Sequence, residues 1–148
     1  MDPAAVFSFG STLVLPGWLL LILLPRWQWT TRLVTTVAIP VVLAVAYVAL
    51  FAGNFMGAEG GFGSLEEVTL LFTNPHLVTA GWLHYLAFDL LVGSWIVRDA
   101  SSEGINHLWI VPCLVGCFMA GPAGYLLYMI IRAALRRKVL MSPVEVAA

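Results

Sequence analysis

Charge is what this sequence has least of. Only 10% of its 148 residues are charged, Lys+Arg 7 against Asp+Glu 8, while 61% are hydrophobic and the mean hydropathy is +0.94. Soluble domains carry roughly 25% charged residues, so the shortage points to a polytopic membrane protein. Four of the cations are Arg132, Arg136, Arg137 and Lys138, which leaves no basic surface for a duplex or RNA, and nucleic acid is not an expected partner. Lysine is absent before Lys138, which rules out a buried retinal Schiff base. His76, His84 and His107 are too few for the repeated histidine boxes of a membrane di-iron enzyme. A glycine-rich nucleotide fingerprint and a Gly-x-Ser-x-Gly elbow are also missing, against a dinucleotide enzyme or a serine hydrolase. Cys113 and Cys117 fall four apart in one apolar segment, point the same way on a helix and read as packing residues. His84, Asp89 and Asp99 have no metal-ligand spacing, so neither metal nor cofactor is expected.

What is present is apolar length. A bilayer core of about 30 Å needs roughly 20 apolar residues per helix, and the sequence predicts an all-α membrane protein with four transmembrane helices, near 4–24, 33–51, 76–97 and 107–131, in one domain spanning 1–148. Asp2 is placed to cap the first helix, with Pro3 in its first turn and a bend at Pro16-Gly17. The first run is too long for a signal-peptide core and lacks a basic leader, so it reads as a retained span of a bacterial or a trimmed organellar protein. Trp27 and Trp29 anchor the start of the second span, and Pro40 should kink it.

The glycine-rich 53–63 reads as a loop. Ser64 and Glu67 form a capping-box pattern opening a short amphipathic helix at the interface, with Leu65, Val68 and Phe72 on one stripe, as a connector or a lid. Asn74-Pro75 starts the third helix, residues 98–106 form a loop, and Pro112 and Pro122 should bend the fourth helix. Gly116, Ala120, Gly121 and Gly124 give that helix a thin side for close packing. Both termini are expected on the cytoplasmic side.

The third span, GWLHYLAFDLLVGSWIVRD, carries a histidine and an aspartate among its leucines. At about 100° per residue, His84, Phe88, Asp99, Tyr85, Asp89 and Trp95 share an arc of about 140°, while Leu83, Leu86, Ala87, Leu90, Leu91 and Val97 take the reverse side. The first arc is expected to face the bundle and the second to face lipid. An ionised aspartate at mid-membrane costs about 2.5–3.5 kcal/mol on insertion scales, so Asp89 needs a partner, a cavity or a proton. One reading makes Asp89 and His84 hydrogen-bonding glue between helices. The other makes them an acid/base pair beside an aromatic slot built from Trp82, Tyr85, Phe88, Trp95, Tyr125 and Tyr128. Arg98-Asp99 reads as an interfacial charge pair or a substrate contact, and Arg132 to Lys138 as an anchor that attracts anionic lipid.

Together with NPHLVTA, LPRWQWT, GINHLWIVPC and GPAGYLLY, this stretch resembles the abscisic-acid-deficient-four-like family of small membrane proteins over nearly the whole chain. Plant members are needed for neoxanthin synthesis from violaxanthin, so the resemblance implies a carotenoid or another long isoprenoid as substrate. The implied reaction opens an epoxide and removes a neighbouring proton without redox change, which calls for an acid, a base and a dry slot. On that basis Asp89 is expected to protonate the epoxide oxygen, His84 to take the proton, and Tyr85 to orient one of them, the two roles being exchangeable. Trp82, Phe88, Trp95, Arg98, Asp99, Tyr125 and Tyr128 are expected to contact substrate. The competing classes are a non-enzymatic carotenoid or lipid carrier serving a partner membrane enzyme, and a scaffold, alone or as a homo-oligomer. The expected location is a bacterial cytoplasmic membrane, or a plastid membrane if the protein is organellar.

Overall fold

A computed structural model describes residues 2–136; Arg137 and Lys138 of the basic cluster lie outside them. The chain forms α1 (Pro3–Leu23), a π-helical stretch (Thr30–Ala38) that runs into α2 (Ile39–Asn54), a 3-10 turn (Phe55–Gly57), α3 (Leu65–Leu71), α4 (Pro75–Ser102) and α5 (His107–Arg136). The protein is all-α, and four of its helices, the π stretch counted with α2, are long and apolar enough to cross a membrane.

The helix starts follow local chemistry. Asp2 accepts hydrogen bonds from the amides of Ala4 and Ala5, and Asn74 caps α4 through the amide of His76 at 2.9 Å. Ahead of Pro40, which cannot donate a backbone hydrogen bond and crowds the carbonyl four residues before it, the backbone widens into the π stretch. There the Thr35 and Thr36 hydroxyls donate to carbonyls five residues back. Ser64 caps α3 through the Glu67 amide, while the Glu67 carboxylate accepts from Gly63 instead of Ser64. The inward side chain of α3 is Leu71, 1% exposed, whereas Leu65 of the expected stripe is 84% exposed.

α4 is the hub of the bundle. α1 runs parallel to it, from the Thr79 hydroxyl on the Pro3 carbonyl to Trp18 stacked over Gly93. α2 runs antiparallel, from Thr35 beside Ser94 to Tyr47 beside His84. Leu83, Leu86, Ala87, Leu90 and Val97 are therefore core instead of lipid-facing, and Phe88 (55%) and His84 of the expected inward arc are exposed, whereas Asp89 of that arc is buried as expected. The physical reason is that lipid tails are as apolar as leucine, so an apolar arc does not distinguish lipid from a neighbouring helix. α4 also continues through the expected loop to Ser102, where Asp99 is paired inside the bundle and Arg98 points outward.

α5 has the length of a span and the shape of a hairpin. Straight, its 30 residues would extend about 45 Å. Instead the backbone leaves helical geometry at Ala120 (φ −157°, ψ 66°), just before Pro122, and the two arms fold against each other. A Cβ on Gly116 would lie 3.0 Å from the Gly124 Cα, so the glycines permit backbone contact between arms. The second arm returns to the starting end: Arg132 pairs with Asp99 and Glu103, and Arg136 lies against Gly104. The described residues thus begin at one end of the bundle and finish at the other, while the C-terminus, whose side was expected to match that of the N-terminus, lies outside them. Arg26, Arg32, Arg98, Arg132 and Arg136 all gather at the finishing end, while Asp2, Glu59, Glu66 and Glu67 belong to the opposite one.

Candidate functional site

The expected single arc of polar and aromatic side chains divides into three clusters around α4. The first surrounds Asp89. Its side chain is buried, 9% exposed, and packs directly onto Gly121 at the fold of α5. Only glycine leaves room there, since any Cβ would overlap the carboxyl. One carboxyl oxygen, Oδ2, is buried without a hydrogen-bond partner. Tyr85, one turn earlier on the same face, is within interaction range of the carboxyl and of the Gly121 backbone. The Cys117 thiol donates to the Gly121 carbonyl at 3.5 Å. Tyr85 continues outward into a stack with Trp82 and Phe7, and the Trp82 indole N–H donates to the Ser11 hydroxyl at 2.8 Å. Asp89, Tyr85 and Trp82 therefore form one connected unit between α1, α4 and α5.

The second cluster lies elsewhere on the helix. His84 stacks on Phe88 at 4.5 Å and tilts toward Tyr47 at 5.9 Å, facing α2 instead of α5. It borders a slot of about 270 Å³ walled by Tyr47, Phe51, Phe62, Leu71, Phe72, Leu77 and Gly81. Tyr47, Phe51, Phe55 and Phe62 stack in succession along it. The structure does not bring His84 and Asp89 together; they serve different sides of α4. The sequence reading missed Tyr47, Phe51 and Phe62. The available signal was the i, i+4 spacing of Tyr47, Phe51 and Phe55, which places three rings on one stripe.

The third cluster closes the far end of α4. Arg132, 0% exposed, donates to Asp99 at 2.7 Å and to Glu103 at 3.1 Å, and the Tyr128 hydroxyl donates to the same Asp99 oxygen. Trp95 packs on Tyr125 and edge-on to Tyr128. Asp99 is thus paired with Arg132 and not with Arg98, which is exposed, and Arg132 is a buried ion-pair partner instead of a lipid anchor. Buried charges persist where they are paired and hydrogen-bonded, and here one guanidinium joins two carboxylates while a phenol donates to one of them. Cys113 and Cys117 are buried and free. Among the described residues no group of three or more metal-binding side chains converges.

The arrangement leaves one buried carboxyl oxygen without a hydrogen-bond partner, Oδ2 of Asp89, beside Tyr85. Comparison with known proteins agrees with the resemblance seen in the sequence. Residues 5–128 match the family model described as ABA DEFICIENT 4-like. The chain is similar to Protein ABA DEFICIENT 4, chloroplastic, of Arabidopsis thaliana, 23% identical over 149 residues, covering 91% of this chain and 64% of that one. It therefore spans less than two thirds of the length of that curated relative. No solved structure matches. The family match takes in every helix from α1 to the second arm of α5, and with it Asp89, Gly121 and His84: the chain belongs to the ABA DEFICIENT 4-like family.

Proposed function

We propose that this chain binds a long isoprenoid of the carotenoid class within the bilayer and isomerises it by proton transfer, with Asp89 as the working group. The observation behind this reading is the unpartnered Oδ2 of a buried carboxyl at the fold of α5. A structural aspartate in such a place would be paired and hydrogen-bonded, as Asp99 is by Arg132 and Tyr128. In its neutral form Asp89 donates its proton from one oxygen to a substrate epoxide as the C–O bond breaks. The other oxygen takes the proton from the adjacent chain carbon, whose C–H electrons form the new C=C bond. The substrate keeps its composition, the carboxyl is restored, and no oxidant or reductant is consumed. Tyr85 orients the carboxyl, and Trp82 with Phe7 supplies a flat apolar wall for the polyene. Access requires the second arm of α5 to swing at Ala120-Gly121. On this reading the protein resides in a bacterial cytoplasmic membrane, or in a plastid membrane if organellar, beside a partner membrane enzyme or a second copy.

The aromatic slot favours a second reading, in which a cyclic end group sits among Tyr47, Phe51 and Phe62 and His84 takes the proton. Conversion of violaxanthin by nanodisc-embedded protein, followed by chromatography, separates the two. Asp89→Asn is expected to lose activity by on the order of 100-fold or more, the range of a general acid/base, with His84→Ala retaining most of it. The converse result moves the chemistry to His84. Bound pigment that no form of the protein converts would make the chain a carrier.

A further inference from the structure

Arg132 has its charge met by two carboxylates; among the described residues Arg26 and Arg32 do not. Both line a cavity of about 700 Å³ where the α1–α2 connection, the end of α4 and the start of α5 converge. That volume lies in the range of small-molecule sites. No Asp or Glu lines it, and among the described residues neither arginine is in an ion pair. Gln28, Thr31, Asn106 and His107 add polar groups to the same wall. His107 is held in place by contact of its Nε2 with the Ile22 carbonyl at 2.9 Å, which fixes the start of α5 against the end of α1. The inner wall is apolar, formed by Val97, Ile105 and Ile110.

A chamber with two unneutralised guanidiniums at its mouth and apolar side chains below it matches an amphiphile with an anionic head. The five described arginines all gather at this end, so the positive-inside rule assigns it to the cytoplasmic side, whose leaflet is rich in anionic lipid. We infer that this cavity binds the phosphate headgroup of an anionic membrane lipid, with Arg26 and Arg32 as its ligands. Guanidinium suits the role because its planar fork offers paired donors to phosphate oxygens. The site is independent of the isoprenoid chemistry at Asp89, since carotenoids carry no charge for these arginines to meet.

The test uses the full chain in nanodiscs of equal phosphatidylglycerol and phosphatidylcholine, with extraction of the lipid that stays bound through detergent purification. Wild type is expected to retain phosphatidylglycerol over phosphatidylcholine by about tenfold, from two cations near the membrane surface. Arg26→Gln/Arg32→Gln should abolish that preference, while Arg98→Gln, at the same end but outside the cavity, should keep it. Both substituted residues are exposed, and the melting temperature in pure phosphatidylcholine verifies that the double variant is folded. Equal retention of the two lipids, or a preference that survives the double substitution, overturns the site. A rise in melting temperature with millimolar inorganic phosphate in phosphatidylcholine discs, dependent on the two arginines and without lipid preference, would assign it to a soluble phosphoanion and overturn the lipid assignment.

Discussion

Two aspartates on α4, Asp89 and Asp99, are both withdrawn from solvent, yet only Asp99 is neutralised. Arg132 and Tyr128 converge on one oxygen of Asp99, and Arg132 reaches on to Glu103. Asp89 faces a glycine and keeps a bare oxygen. Both environments come from the same arm of α5, which offers cations and a phenol at its end and bare backbone at its fold. The bundle is thus able to neutralise a buried carboxylate fully, and does not do so at Asp89. That difference marks a joint at Asp99 and a carboxyl with one unpartnered oxygen at Asp89, the group to which the proposed chemistry is assigned.

The largest expected effect comes from dismantling the satisfied end. Arg132→Met removes the guanidinium that Asp99 and Glu103 share, and breaking one partner of a buried ion pair costs about 3–5 kcal/mol; thermal unfolding in detergent should register it as a marked fall in melting temperature. Next comes Gly121→Ala, whose methyl group falls on the Asp89 carboxyl. Overpacking of this kind costs about 1–3 kcal/mol, and the displaced carboxyl should lose isoprenoid conversion altogether. Gly53→Ala, with nothing within 4 Å of the added carbon, is the matched control and should change neither stability nor conversion appreciably. The smallest effect belongs to the uncharged contact between Ser94 and Thr35, at 2.7 Å. Ser94→Ala should cost about 0.6 kcal/mol, the mean for interhelical hydrogen bonds in membranes, and an effect as large as that of Arg132→Met would mean that burial alone, not charge, sets the scale.

Much of this architecture is written locally in the chain. Asp2, Ser64 and Asn74 each announce a helix start through a side-chain oxygen placed to accept from the following amides, and all three do so. Pro40 announces disturbed backbone, and the π stretch lies beside it. The hairpin was not legible in the same way. A run of 30 mostly apolar residues looks like one span, and the proline that marks the fold, Pro122, resembles Pro112, which α5 accommodates without leaving helical geometry. What distinguishes them is Gly121 next to the break, with Gly116 and Gly124 where the arms must touch. In sequence those glycines suit the approach of any neighbouring helix, and the neighbour is the other half of the same one. The site was legible by residue type but not by grouping: Asp89, Tyr85 and Trp82 meet, while His84 turns toward a slot whose walls come from α2 and the glycine-rich loop.

The most direct test is thermal unfolding of Asp89→Asn beside Asp99→Asn, in the same detergent and with no substrate present. If Asp89 is held for chemistry, its amide variant should melt at or above the wild-type temperature, because an unsatisfied carboxyl is replaced by a neutral group of the same shape. Asp99→Asn should melt well below, by the equivalent of about 3 kcal/mol, with Arg132 left short of a counter-charge. Equal destabilisation by the two substitutions would contradict this and make Asp89 a helix joint like Asp99.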